Sequence, residues 1–157
     1  KNTVEKRVND LNQDITSYSQ ADSDSSIGAR LAMYEGGLRT YAFWGQSLET
    51  RANKFYALEK KEPRIGGALI YLGAHLHNDI IETLSTRGVP GVFLVLFFYF
   101  SFTYYSIFVV RDFYLLILLV APAVLSLSDV ILFAKASPTA LMIVLLLAFV
   151  YSKNRVK

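Results

Sequence analysis

The run from 89 to 110 carries no charged side chain over 22 residues, and no other feature restricts the possible folds as strongly. As a helix it would be about 33 Å long, close to the roughly 30 Å hydrocarbon thickness of a bilayer. Arg111 and Asp112 end it, and a second apolar run, 113–134, holds Pro122 and one charge, Asp129. Lys135 interrupts again. The third run, 136–152, is 17 residues with Pro138 near its start, at the lower limit for a span. Three such runs with short charged breaks leave almost no polar surface to meet water, so three membrane crossings are expected rather than a soluble helical core.

The basic residues set an orientation. Lys153, Arg155 and Lys157 lie in the closing segment 153–157, and a basic cluster beside the last span is expected to stay cytoplasmic. Three crossings then place 1–88 on the opposite side, which in a bacterial inner membrane is the periplasm. That segment holds eleven Lys/Arg and eleven Asp/Glu, so the formal net charge of +3 comes from the part that follows. A neutral segment lacks the basic face that nucleic-acid binding needs. Cysteine is absent, which excludes a disulfide framework and a thiolate metal site. The first residue is lysine and no export signal follows it, so transmembrane helices upstream are expected to have carried 1–88 across.

Within 1–88 the apolar spacing is helical. Val4, Val8, Leu11 and Ile15 form one stripe, the mark of a short amphipathic helix. Residues 17–26, "SYSQADSDSS", read as an exposed loop ending in an N-cap serine. Ile27, Leu31, Tyr34, Leu38 and Tyr41 then step by four and three, which predicts a helix over 28–42 with those side chains as its apolar stripe. Arg30 lies off that stripe, with Ala29, Met33 and Gly37 as neighbours, small or flexible residues that leave room for a ligand or another helix. Glu35 and Arg39 are an i, i+4 pair suited to a solvated salt bridge. A third, more polar helix is expected over 48–61, ending at "EPR". The glycine-containing stretch "IGGALIYLGAHLH", 65–77, suggests an extended or irregular approach to the membrane.

Asn78 suits an N-cap, Asp79 and Glu82 fall in the favoured first turn, and Gly88 suits a C-cap, so a short helix is predicted over 79–87. His77 would sit just outside its N-terminus, near unpaired N–H groups that collect anions and keep an imidazole neutral. A neutral imidazole can accept a proton. Two other readings stay open at this point: His75 and His77 as interfacial residues with local hydrogen bonds, or, with Asp79, as metal ligands alternating along a strand face. Asp129, ionisable at membrane depth, should face a protein interior or a wet cavity.

These residues carry a resemblance. "HNDIIETLSTRGVPG", 77–91, fits the pattern His-Asn, nine residues, Gly-x-x-Gly that marks the O-antigen ligase and polymerase superfamily of bacterial envelope glycosyltransferases. "GARLAMYEGGL", 28–38, is similar to the arginine-bearing helix in the large periplasmic loop of enterobacterial-type O-antigen ligases, and "LSDVILFAKASPTALMIVLLLAF", 127–149, resembles the family's last two spans. The resemblance implies an all-α integral membrane protein: a helical periplasmic loop, then three transmembrane helices, as a fragment of a larger polytopic glycosyltransferase. It implies transfer of O-antigen from undecaprenyl pyrophosphate to a sugar hydroxyl of lipid A-core at the periplasmic face, with inversion and without nucleotide, cofactor or metal. His77 would be the base that activates the acceptor, and Arg30 would bind the donor pyrophosphate. His75, Asn78 and Asp79 would have supporting roles. A second essential arginine of the family lies on an earlier helix absent from this sequence, so the 157 residues alone are expected to be inactive. The rival readings are a polymerase acting on the same lipid carrier, and a non-catalytic membrane subunit or transporter fragment.

Overall fold

The computed structural model describes residues 2–20, 22–132 and 137–155, and among them every regular element is helical. Helix α1 is Asn2–Ser19, α2 is Ser26–Thr40, α3 is Leu48–Glu59, and α4 is the short turn Gly66–Leu69 after a 3-10 turn at Pro63–Ile65. Helix α5, Asp79–Tyr104, runs on into a π-helical turn at Tyr105–Val110; α6 is Phe113–Leu125 and α7 is Ser137–Arg155. The expected boundaries at Lys135 and Ala136, and the end of the chain past Arg155, lie outside the described residues.

Local capping chemistry explains most of the starts and stops. The Ser25 hydroxyl accepts from the Gly28 N–H at the head of α2, and the Ser47 hydroxyl accepts from the Thr50 N–H at the head of α3, each satisfying an orphan first-turn donor. Helix α1 runs to Ser19, further than expected, and the turn after it is only partly exposed. Ser23 is buried there, and its Oγ accepts from the Gly67 N–H at 2.8 Å. The stretch expected to be extended or irregular is irregular, folded into tight turns through α4.

The buried face of α2 differs from its apolar stripe. Leu38 and Tyr41 are exposed, whereas Gly28, Ala29, Ala32, Met33, Gly36 and Gly37 are buried. Close approach explains it: a side chain at Gly36 would run into the Phe55 ring, and one at Gly37 into Ile81. The room beside Arg30 therefore holds another helix, α5. Ala29, Ala32, Met33, Phe55, Ile65, Ala68, Leu72 and Leu76 make up the resulting core. The α1 stripe of Val4, Val8, Leu11 and Ile15 is exposed. Glu35 and Arg39 do pair, but inside a network: Arg39 and Arg64 each bond to both Glu35 and Glu62, and the Tyr18 hydroxyl donates to Glu35.

The second half is apolar and points outward. Among the described residues, one helix, Asp79–Val110, is long and apolar enough to cross a membrane, and Phe113–Leu125 and Pro138–Tyr151 are shorter apolar helices. Phe93, Phe97 and Phe100 on α5 are largely exposed, while Val95, Leu115, Leu119 and Leu145 pack inward. This make-up fits a membrane protein. Within the apolar run that begins at 113, α6 ends at Leu125, and 126–132 is not helical. Beyond it, the N–H groups of 126–129 turn back onto α6 carbonyls, while other backbone groups of 126–132 find partners on α5: Ser126 O accepts from the Asp79 N–H, and the Asp79 carboxylate accepts from the Ile131 and Leu132 N–H groups. Composition cannot reveal such a capture, because the residues remain apolar throughout.

Candidate functional site

The site forms where α5 begins. Asn78 Oδ1 accepts from the Ile80 and Ile81 N–H groups, and its Nδ2 donates to Leu127 O at 3.0 Å. The first-turn donors of α5 are therefore already bonded, with Asp79 N–H on Ser126 O. This corrects the expectation that free N–H groups beside His77 collect anions. Gly88, at φ 70° and ψ −165°, breaks the helical geometry where the short helix over 79–87 was expected to end. A fresh helical run starts at Val89, the first residue of the uncharged stretch.

His77 has φ 49°, the left-handed region that non-glycine residues seldom occupy, histidine more often than most. Its neighbours hold it there. The Tyr34 hydroxyl lies 3.1 Å from both His77 O and Leu127 O, and the Leu76 N–H donates to Glu82 at 3.0 Å. Glu82 is in turn held by a buried guanidinium, Arg51, whose Nη1 reaches both its oxygens at 2.8 and 2.9 Å while Nη2 donates to Leu72 O. The loop delivering both histidines is thus pinned at residues 72, 76 and 77 by α2, α3 and α5. Backbone strain of this kind persists only where the surroundings over-determine it, and it clusters at functional sites.

The two imidazoles stack edge to face at 4.5 Å between ring centres, and Tyr71 packs edge-on to His77 at 5.6 Å. Asp129 faces both: its Oδ1 is 3.5 Å from His77 Nδ1 and 3.9 Å from His75 Nδ1. Burial holds the His77 imidazole below its usual range; His75 and the Arg30 guanidinium push the same way, and Asp129 opposes them. His77 is therefore neutral at pH 7. With Nδ1 turned to the carboxylate, Nε2 is the atom left to accept a proton.

Arg30 differs from the arginines around it. Arg39, Arg51 and Arg64 each pair with glutamate, whereas Arg30 is exposed and has no carboxylate partner among the described residues. An uncompensated guanidinium close enough to affect His77 is suited to a phosphate. Asp79 stands apart from this group, fully buried, with its carboxylate on the Ile131 and Leu132 amides. The strand-face metal trio of His75, His77 and Asp79 is therefore incorrect: there is no strand here, and Asp129 occupies the third place. His75, His77 and Asp129 offer three ligand atoms within 4.8 Å of one another and could hold a divalent cation.

Sequence reasoning missed Arg51, Glu82 and Tyr34 as supports and Asp129 as the histidines' partner. The one available signal was an ionisable residue inside an apolar run. Below the site, Arg87, Gly91, Leu94, Phe98, Leu132 and Met142 are among the residues lining a mainly apolar groove of about 380 Å³ between α5 and α7.

No protein-family model matches the chain, and no solved structure matches it. A curated relative, the O-antigen ligase of Escherichia coli strain K12, is 40% identical over 154 residues, which is 96% of this chain. The chain spans 36% of that relative's length.

Proposed function

We propose, from the premise that this chain belongs to the O-antigen ligase family, that it carries the acceptor-activating part of an enzyme that moves O-antigen polysaccharide from undecaprenyl pyrophosphate to a sugar hydroxyl of lipid A-core. The observation carrying this reading is a neutral imidazole, His77, within the field of Arg30, a guanidinium with no carboxylate partner among the described residues, at the head of α5 and one short helical stretch before it turns apolar at Val89. Both substrates are lipid-anchored, so their reacting ends would meet at such a boundary. The site would face the periplasm of the bacterial inner membrane, with 153–157 cytoplasmic.

In this reading Asp129 holds His77 Nδ1–H, and Nε2 takes the proton of the acceptor hydroxyl as its oxygen attacks the anomeric carbon. The C–O bond to the carrier breaks and the pyrophosphate leaves with the electron pair. A positioned base contributes typically about 10²–10⁴-fold. Arg30 balances the leaving charge electrostatically, with further groups expected from parts of the enzyme beyond this chain. His75 lowers the basicity of His77 and packs its ring, and Asn78 fixes the loop. The apolar groove between α5 and α7 supports a lipid-linked donor, since a polyprenyl chain needs such a path.

Complementation tests this. The full-length gene would be returned to a ligase-deficient strain beside His77→Ala and Arg30→Ala versions at equal expression, and the lipopolysaccharide run on a gel. A ladder with the unmodified protein and bare core with either variant is expected. Ladders from all three would remove both assigned roles.

A further inference from the structure

The loop between α2 and α3 holds an aromatic cluster that the proposed chemistry does not use. Trp44, the single tryptophan of the chain, is 82% exposed, and Phe43, Tyr41 and Leu48 are exposed beside it. Residues 40–48 carry no charge. Isolated apolar side chains on a surface need no explanation, but a contiguous exposed patch marks an interaction site.

The loop is rigid, and its attachment locates it. Phe43 O accepts from the Val89 N–H at 2.9 Å, the Gln46 N–H donates to Thr86 O at 2.8 Å, and Gln46 Nε2 donates to Ser85 O and Thr40 O at 2.9 Å. Gly45 at φ 90° and Gly88 at φ 70° let the two backbones interlock, since a side chain at either would strike the opposing main chain. The Phe43 and Trp44 rings meet edge to face at 4.9 Å, so the pair is held as a unit. Val89 opens the uncharged 22-residue run. The rings are therefore fixed at the level where α5 passes from polar to apolar surroundings. Tryptophan and tyrosine favour that level of a bilayer, where a ring can bury its apolar body and keep its N–H or O–H wet.

We propose that Tyr41, Phe43 and Trp44 form a finger that enters the headgroup boundary of the bilayer on the same side as His77, setting the height of the site above the lipid. The inference rests on reading α5 as a membrane crossing. The occupant is lipid rather than a protein partner because the finger is bonded to the first residue of the crossing itself.

Nitroxide labels in the intact protein test this, with cysteine introduced singly as Trp44→Cys, Leu96→Cys or Lys60→Cys and any other cysteine replaced. The protein would be reconstituted into phosphatidylethanolamine–phosphatidylglycerol vesicles, and accessibility to oxygen and to a water-soluble nickel chelate measured. Leu96, outward on α5, should favour oxygen, Lys60 should favour nickel, and Trp44 should fall between, at a shallow depth. A Trp44 label as nickel-accessible as Lys60, or one shielded from both reagents by protein, would overturn the finger while leaving the crossing intact. A nickel-accessible Leu96 would overturn both. As a second measurement that keeps the aromatic ring, brominated lipids should quench a fluorescence component that Trp44→Phe removes, and equal quenching of the two proteins would count against the finger.

Discussion

Replacing Arg51 by methionine should destabilise the protein and disable the histidine loop together. The guanidinium is fully buried, makes two bonds to Glu82 and one to Leu72 O, and has no other acidic partner among the described residues. Methionine fills much of the space but leaves the Glu82 carboxylate with the Leu76 N–H as its remaining partner and Leu72 O without a donor. Breaking a buried pair from one side costs about 3–5 kcal/mol because the other charge stays uncompensated. Against a total of about 5–15 kcal/mol that is a large fraction. At about 2–4 °C per kcal/mol for a unit of 150–250 residues, the unfolding transition that involves these helices should fall by about 6–20 °C. The assay is thermal unfolding of the purified intact protein in detergent, with glycan transfer measured below the transition. Adding Glu82→Gln should recover part of the loss, since the amide removes the stranded charge and keeps an acceptor for the Leu76 N–H. A midpoint within about 2 °C of the unmodified protein, small against the loss expected here, or additive effects of the two substitutions, would refute this account of the pair.

The acidic limb of the transfer rate should lie below the ordinary histidine value of 6.5, because burial, His75 and Arg30 all depress His77. The neutral form is the active one, so Arg30→Gln should move the residual activity's limb to higher pH and Asp129→Asn to lower pH; shifts in one direction would contradict the assigned fields. Gly88→Ala should lower the unfolding midpoint by several degrees, since φ 70° is unfavourable for alanine and its Cβ would strike Phe43 O and Gly45 N. EDTA should leave transfer unchanged if His77 works through a free lone pair, whereas loss restored by zinc would make His75, His77 and Asp129 a metal centre.

What the sequence made legible was local. Asn78 and Gly88 could be read because a cap and the bond it makes lie within a few residues, and α5 begins and breaks at those positions; the serine expected to cap α2 was the last of the loop, Ser26, one residue past the actual cap Ser25, and Ser47 was not anticipated at the head of α3. The inward face of α2 was not legible from its large apolar residues, because close packing on Phe55 and Ile81 selects the small ones instead. Arg51 and Glu82 are 31 residues apart, and nothing in the spacing of either distinguishes a buried pair from two solvated charges. Asp129 showed only as a charge out of place. Its partner His77 lies on a loop about a third of the chain away, and the two segments are joined through backbone bonds that hydropathy does not register.

Those long-range bonds converge on one turn of helix. Asn78 ties α5 to Leu127, Asp79 ties it to Ser126, Ile131 and Leu132, and Glu82 ties it to Leu76 and, through Arg51, to Leu72. Asp129 and His77 belong to two of the segments so held, which means their 3.5 Å approach is set by three side chains that do no chemistry. Asp79 is the informative member, because its carboxylate has amides and, among the described residues, no cation as hydrogen-bond partners. Asp79→Asn keeps one acceptor oxygen but loses the charge assistance worth roughly half of each bond. It should therefore loosen the Asp129 segment more than the fold as a whole. The expected signature is a transfer rate that falls more than the unfolding midpoint does, with the acidic limb of His77 moving to lower pH as Asp129 withdraws. A midpoint that collapses while the limb stays in place would mean that Asp79 supports the helix and not the site.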